Sequence, residues 1–369
     1  MKTKNIVKIV ILSVVMVLFL VTLFFSTQLE NLLLLKPNLQ KVYNNSLSVH
    51  FVDVGQGDAI LVRFPNNKTM LIDSGSENHK NNLLNYINNV FFNNAKNKTF
   101  DYVMLTHPDA DHMGNMLTIF NSYKVNNFLR PNIYAEGIEK YDGFNASSGE
   151  ENYVRLVAKA YALNINMKFA TPDFSDENLN EYMRILTPIR NNYSDENSFS
   201  PIISLTHNGV KFLLTGDATK QNELELINNY SEEVYNCDVL KLGHHGSSTS
   251  TGEQFLNETS PSAVVISYGK DNSYLHPSEE TINKIVNYAE TNNLKYNNLV
   301  YETAKQGNII FSVKNNTYDV TTINNVNNYV FVNYWVVVVI VIALFIVFVI
   351  LPYLIKFLFS KKSNNVLKP

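Results

Sequence analysis

The residues Thr106-His107-Pro108-Asp109-Ala110-Asp111-His112-Met113-Gly114 directly follow the apolar run Tyr102-Val103-Met104-Leu105. A buried strand therefore delivers the chain to a tight polar turn that carries two histidines and two aspartates within six positions. His107 and Asp109 alternate toward one ligand set, whereas the adjacent Asp111 and His112 must point to different places. One short loop can feed two neighbouring metal ions with nitrogen and oxygen ligands. A solvated polar loop is the plain alternative. A lone His-x-Asp would favour it, but a full cluster behind a strand does not.

The rest of the chain repeats this logic. Residues 47–54 alternate as a half-buried strand should, and Gly55-Gln56-Gly57-Asp58 breaks the run with a glycine turn. Strands at 59–64 and 69–73 complete an antiparallel meander. Residues 81–92 read as a helix with Leu83, Leu84, Ile87, Val90 and Phe91 on one face. Weaker signals give strands at 125–129, 166–170 and 181–186, a helix at 150–163 and a polar loop at 191–200. A strand at 202–206 turns at Asn208-Gly209, and the return strand 211–215 ends in Gly216-Asp217. A helix at 220–228 follows. The strand 237–242 ends in Gly243-His244-His245-Gly246-Ser247, and the strand 263–267 leads to a loop carrying Asn272, Tyr274, His276 and Pro277. Ser278 reads as the N-cap of the next helix, and 307–313 with 318–320 as a final hairpin. The strand ends after Leu105, Thr215, Leu242 and Ser267 all carry His or Asp and are expected to meet on one edge of a two-sheet sandwich.

Asp217 follows a small residue and could bridge two metals placed by the first cluster, with His244 or His245 adding a nitrogen. Two cations held ~3.5–4 Å apart lower the pKa of a bridging water and clamp a phosphoryl or acyl oxygen. His276, Asn272 and Ser247 are suited to hold substrate oxygens or to protonate a leaving group. His50 and His79 read as structural or solvated, and His207 as a turn residue. Asp58 reads equally as a turn-fixing residue or a member of the site.

The segments Asp53-Val54-Gly55-Gln56-Gly57-Asp58, Thr106 to His112, Thr215-Gly216-Asp217 and Gly243-His244-His245-Gly246-Ser247 occur in that order. Together they resemble the metallo-β-lactamase-fold hydrolase domain of the ComEC-type competence proteins and their free-standing relatives, over residues 46–315. The resemblance implies an αββα four-layer sandwich with two divalent metal ions, Zn²⁺ or Mn²⁺, at one sheet edge. It implies His107, Asp109, Asp111, His112, Asp217 and one of His244/His245 as ligands. His244 is taken as the ligand; Asp111, His245, Asn272 and His276 are taken as the catalytic groups. Asp73 would support the site, and Tyr268, Asn272 and His276-Pro277 would face substrate. Two departures matter. Asp109 stands where the wider superfamily has histidine, which makes the site more anionic and Mn²⁺ a rival to Zn²⁺. Asn197-Ser198-Phe199-Ser200 stands where the wider superfamily supplies another histidine.

Residues 6–25 are almost wholly apolar behind Lys2 and Lys4, long enough to span a bilayer at ~20 residues. No Ala-x-Ala site follows, so an anchor is expected rather than a cleaved signal. Tyr334-Trp335 opens a second apolar run, 336–351. The organisation read from this is an anchor at 1–29, a linker at 30–45, the hydrolase domain at 46–315, a linker at 316–333, a second span at 334–359 and a basic tail at 360–369. Basic tails place both termini in the cytoplasm and the domain outside it. Cys237 is the single cysteine of 369 residues, which excludes a disulfide framework and a cysteine-based zinc site. A net charge of −3 gives no global case for a nucleic-acid partner.

The expected function is a membrane-anchored, extracytoplasmic metal-dependent phosphodiesterase that uses a metal-activated water. Its substrate would be single-stranded DNA, with a separate channel protein as partner. A phosphodiesterase on a teichoic acid or phosphorylcholine of the cell wall competes with this, as does a metal-stabilised binding module without turnover.

Overall fold

The computed structural model describes residues 45–93, 95–133 and 148–323. Both predicted membrane spans lie outside these residues. Among the described residues no helix is long and apolar enough to cross a membrane.

The strands form two mixed sheets. The first takes β1 (Ser48–Phe51), β2 (Ile60–Arg63), β3 (Thr69–Ile72), β4 (Thr99–Met104), β5 (Lys124–Arg130) and β6 (Asn166–Phe169). The second takes β7 (Met183–Ile185), β8 (Ile203–His207), β9 (Val210–Leu214), β10 (Val239–Lys241), β11 (Ala263–Ile266) and β12 (Val300–Glu302). The chain then returns to the first sheet as β13 (Asn308–Lys314) and β14 (Thr317–Ile323). The orders are β14-β13-β1-β2-β3-β4-β5-β6 and β12-β11-β10-β9-β8-β7. β1 to β3 are the expected antiparallel meander. From β3 to β6, and from β9 to β12, neighbours run parallel. Parallel strands put successive C-terminal ends on one edge, and this collects the polar turns.

Alternation along each strand makes the layers. Val49, Phe51, Val62, Met70, Met104, Leu205, Phe212 and Val265 face inward and fill the space between the sheets. Phe51 and Phe212 each meet Phe311 edge-to-face at 5.9 Å. Each fully buried Phe contributes about 1.5–3 kcal/mol. The opposite face of the second sheet, with Leu213, Leu240 and Val264, packs under the helices Lys220–Asn229, Glu253–Thr259 and Glu279–Thr291. Ser278 caps the last of these, accepting the Thr281 N–H at 3.2 Å. On the other side, His50 faces away from the inter-sheet core and bonds Tyr86 Oη at 2.9 Å. Helices on both outer faces give the αββα arrangement.

Three details depart from the sequence pattern. The helix expected at 81–92 is α-helical over Lys80–Tyr86 and continues as a π-turn over Ile87–Phe91. The loop at 191–200 is not simply polar: Glu196–Phe199 forms a 3-10 turn, and Ser198, Phe199 and Ser200 are buried. The final hairpin expected at 307–313 and 318–320 is present but longer, with β14 pairing with β13 through Ile323.

Candidate metal centre

The site begins with Asp73, at the end of β3. It adopts a left-handed φ of +57°. Its carboxylate accepts the Thr106 N–H at 2.8 Å, the Thr106 hydroxyl at 2.7 Å and His112 Nδ1–H at 2.8 Å. The Thr106 proton is thereby committed, so its oxygen accepts from His107 Nδ1–H at 3.0 Å. His245 Nδ1–H donates to the Ser267 carbonyl at 2.9 Å. Each ring is thus anchored through Nδ1 and turns Nε2 inward, the arrangement that orients imidazole for a cation.

Two of these inward nitrogens crowd against carboxylate oxygens. His112 Nε2 lies 3.1 Å from His245 Nε2 and 3.3 Å from Asp217 Oδ2. His245 Nε2 is 3.4 Å from both Asp217 Oδ2 and Asp111 Oδ2. A tetrahedral site with bonds of ~2.0–2.1 Å separates its ligands by ~3.3 Å, so His112, His245 and Asp217 fit around one divalent ion, with Asp111 beside His245. A looser group shares the same carboxylate oxygen. His107 Nε2 is 3.8 Å from Asp217 Oδ2 and 3.6 Å from Asp109 Oδ2, and His244 Nε2 is 3.7 Å from Asp217 Oδ2. His107 Nε2 and Asp217 Oδ1 are buried and make no hydrogen bond. Buried polar atoms are rarely left without a partner, and a cation would supply one here.

The electrostatics agree. Burial opposes charge on His112 and His245, but Asp217 and its fellow carboxylates overcome it: His112 is held well above the usual imidazole range and His245 rises to about 9. Burial opposes ionisation of Asp217 too, and the His112 and His245 rings hold it well below the usual carboxylate range.

The structure sorts the predicted residues differently in several places. His245, taken as a catalytic neighbour, is fully buried within the tighter group. His244, taken as the ligand, is partly exposed, bonds Thr249 Oγ1 at 2.9 Å and reaches only the looser group. Both occupy left-handed backbone, φ +48° and +54°, which turns the two rings to different sides. Asn272 is no free catalytic amide. Its Nδ2 donates to the Gly269 and His276 carbonyls at 2.8 and 2.7 Å, and its Oδ1 accepts the His276 N–H at 2.9 Å. It braces the loop that carries His276. The His276 ring stands 5.3 Å from His244 and 6.2 Å from His245, and burial lowers its pKa to about 4. Tyr268 is buried against Glu302 and Thr303 rather than facing a substrate. His207 ends β8, at the edge opposite the cluster, beside Tyr182.

Three participants carried little signal in the sequence. Ser200, fully buried, places its Oγ 3.4 Å from His107 Nδ1 and accepts the Asp217 N–H at 3.3 Å. Asp58 and Lys241 are both buried and meet at 2.6 Å. Asp58 Oδ1 lies 3.9 Å from His245 Nδ1, and a carboxylate oxygen of Asp58 falls within 4.8 Å of the donor atoms of His112, Asp217 and His245. Its backbone N–H donates to the Asp111 carbonyl at 3.2 Å, an approach that needs the neighbouring Gly57: a Cβ there would come 2.0 Å from that oxygen. Lys241 Nζ also donates to the Gly216 carbonyl at 3.1 Å and the Leu242 carbonyl at 3.0 Å. One ammonium therefore ties the turn before Asp217, the turn before His244-His245 and the turn touching Asp111. For Lys241, a lysine in the otherwise apolar β10 was the only hint.

Comparison with known proteins matches residues 52–270 to the family model described as the metallo-beta-lactamase superfamily. The chain belongs to that superfamily. It is 27% identical to ComE operon protein 3 of Bacillus subtilis over 280 residues, covering 72% of this chain and 33% of that protein. It is 29% identical to competence protein ComA of Neisseria gonorrhoeae over 247 residues, 67% of this chain and 30% of that protein. The resemblance to ComEC-type competence proteins read from the four motifs agrees with these relatives. The chain spans about a third of their length. Among solved structures, the metallo-beta-lactamase fold protein YhfI from Bacillus subtilis is 12% identical, with a TM-score of 0.45, over 73% of this chain and all of that one.

Proposed function

We propose that this superfamily hydrolase is a metal-dependent phosphodiesterase, carried outside the cytoplasm on two membrane spans and acting on single-stranded DNA. A separate channel protein would serve as its partner in DNA uptake or surface DNA degradation. What supports the reading is Asp217 Oδ2, which stands 3.3–3.4 Å from His112 and His245 and 3.7–3.8 Å from His244 and His107. One carboxylate oxygen within reach of two donor groups is compatible with a pair of cations held close together. His112, His245, Asp111 and Asp217 would hold one ion; His107, Asp109, Asp217 and His244 would hold the other. When bound, Zn²⁺ or Mn²⁺ supplies a lowered pKa for water and positive charge for phosphoryl oxygens.

The protein's own groups do the rest. Asp73 and the Ser267 carbonyl fix the tautomers of His112 and His245. Asp109 is half-exposed and opens the looser side to substrate. His276 is neutral near pH 7, so it offers a substrate oxygen one hydrogen bond rather than a full charge.

The test uses the full-length chain, stripped of metal and reloaded with Mn²⁺ or Zn²⁺, on bis(p-nitrophenyl) phosphate and single-stranded DNA in parallel. Turnover of both is expected, with loss in Asp217→Ala while the fold persists. Full activity in that variant would sink the assignment. The near-neutral charge of the chain favours a second reading, a cell-wall choline or teichoic acid phosphodiester. Nucleic-acid cleavage should fall steeply with salt, whereas a small choline ester should respond little.

A further inference from the structure

The loop between β11 and the helix Glu279–Thr291 does more than carry His276. The Asn272 side chain clamps both ends of the segment 269–276, through Gly269 and His276. What lies between is pushed into solvent. Tyr274 is 66% exposed and Leu275 81% exposed, and Leu275 sits at φ +57°, a region that favours glycine. Strained backbone that presents apolar side chains beside a polar cluster invites a functional reading.

The rings on this loop line up. His245, buried in the cluster, faces His276 at 6.2 Å and 30°. His276 in turn stacks with Tyr274 at 5.8 Å and 24°. A ladder of roughly aligned faces runs from the candidate metal centre to an exposed phenol. Charge adds little, since the neighbouring Lys270 and Asp271 are both exposed and offset one another. The loop presents one exposed ring, whereas a quaternary ammonium is held in a cage of several.

We propose that Tyr274 is a base-stacking subsite, on which the nucleobase next to the scissile phosphodiester lies flat. This rests on the phosphodiesterase reading above and specifies its substrate as an unpaired nucleic acid. A duplex keeps its base faces stacked on one another, whereas a single strand offers every base a π-face to an aromatic platform. Leu275, the next residue, adds exposed apolar surface beside it.

The full-length Mn²⁺-loaded chain is titrated, by fluorescence anisotropy, into a labelled oligothymidylate with phosphorothioate linkages and into the same oligomer with abasic sites. The intact chain should bind the base-bearing strand about tenfold tighter, within the range that one aromatic stack contributes. Tyr274→Ala should erase that preference and Tyr274→Phe should keep it. Equal binding of both strands by the intact chain, or a preference that survives Tyr274→Ala, overturns the subsite. So does a loss of binding to phosphatidylglycerol vesicles in Tyr274→Ala with the base preference unchanged, which would make the loop a lipid contact. A Tyr274-dependent preference without cleavage of the ordinary phosphodiester strand would uphold the subsite and fell the phosphodiesterase reading. Cleavage without any base preference would do the reverse.

Discussion

Replacing Lys241 by Met tests whether one buried ammonium holds the site's turns together. Lys241 and Asp58 have side-chain exposures of 0% and 1% and lie 2.6 Å apart. At an effective dielectric of ~20 their attraction is worth ~6 kcal/mol. Desolvating both ions offsets much of that, so the pair's net contribution is small. Removing one partner is different, because Asp58 is left charged in the interior; that costs about 3–5 kcal/mol. Against a typical domain stability of ~5–15 kcal/mol, Lys241→Met should remove roughly a fifth or more. Urea unfolding of the full-length chain, followed by far-UV circular dichroism, measures this. The double variant Asp58→Asn/Lys241→Met should regain most of the loss, since no charge is stranded. Both variants should still bind metal about 10–100-fold more weakly, because the Gly216 and Leu242 carbonyls lose their common donor. A loss below ~1 kcal/mol in the single variant, or a double variant no more stable than the single, would refute the reasoning.

Metal binding should be strongly pH-dependent. His112 and His245 are protonated near pH 7 without metal and must lose Nε2 protons to become ligands, so calorimetry in buffers of different ionisation enthalpy should detect about two protons released per chain. Affinity should rise with pH through about 9, where His245 gives up its proton; a flat profile from pH 6 to 9 would contradict the assigned protonation. In the metal-free chain, the raised His245 pKa adds stability that is fully present below ~6.5 and is lost as pH rises through about 9, so thermal unfolding should show that decline. Asp73→Asn keeps the shape of the support but removes its charge; metal affinity should fall ~10–100-fold with the fold retained, and unchanged stoichiometry and affinity would show that Asp73 does not orient His112.

Much of the fold was legible because it is written in local periodicity. The alternation of Leu47–Val54 set β1, and Asn208-Gly209 set the β8–β9 turn. The polar residues following Leu105, Thr215 and Leu242 marked the ends of parallel strands, which topology then placed on one edge. The 3-10 turn at Glu196–Phe199 was not legible, because its Ser198 is buried in a contact made across the fold, where the Asn222 side chain reaches the Ser198 carbonyl.

The sequence by itself determined which residue types reach the site, since ligands at strand ends need only a strand, a turn and a short spacing. It could not decide between His244 and His245. Adjacent residues share a spacing, and only the two left-handed backbone angles and the Ser267 and Thr249 acceptors send one ring inward and leave the other at the rim. Nor could it pair Asp58 with Lys241, which are far apart in the chain and meet only because the two sheets pack face to face. Tertiary structure decided the partners of the site's buried charges, because the energy of such a group depends on what surrounds it and not only on its neighbours in the chain.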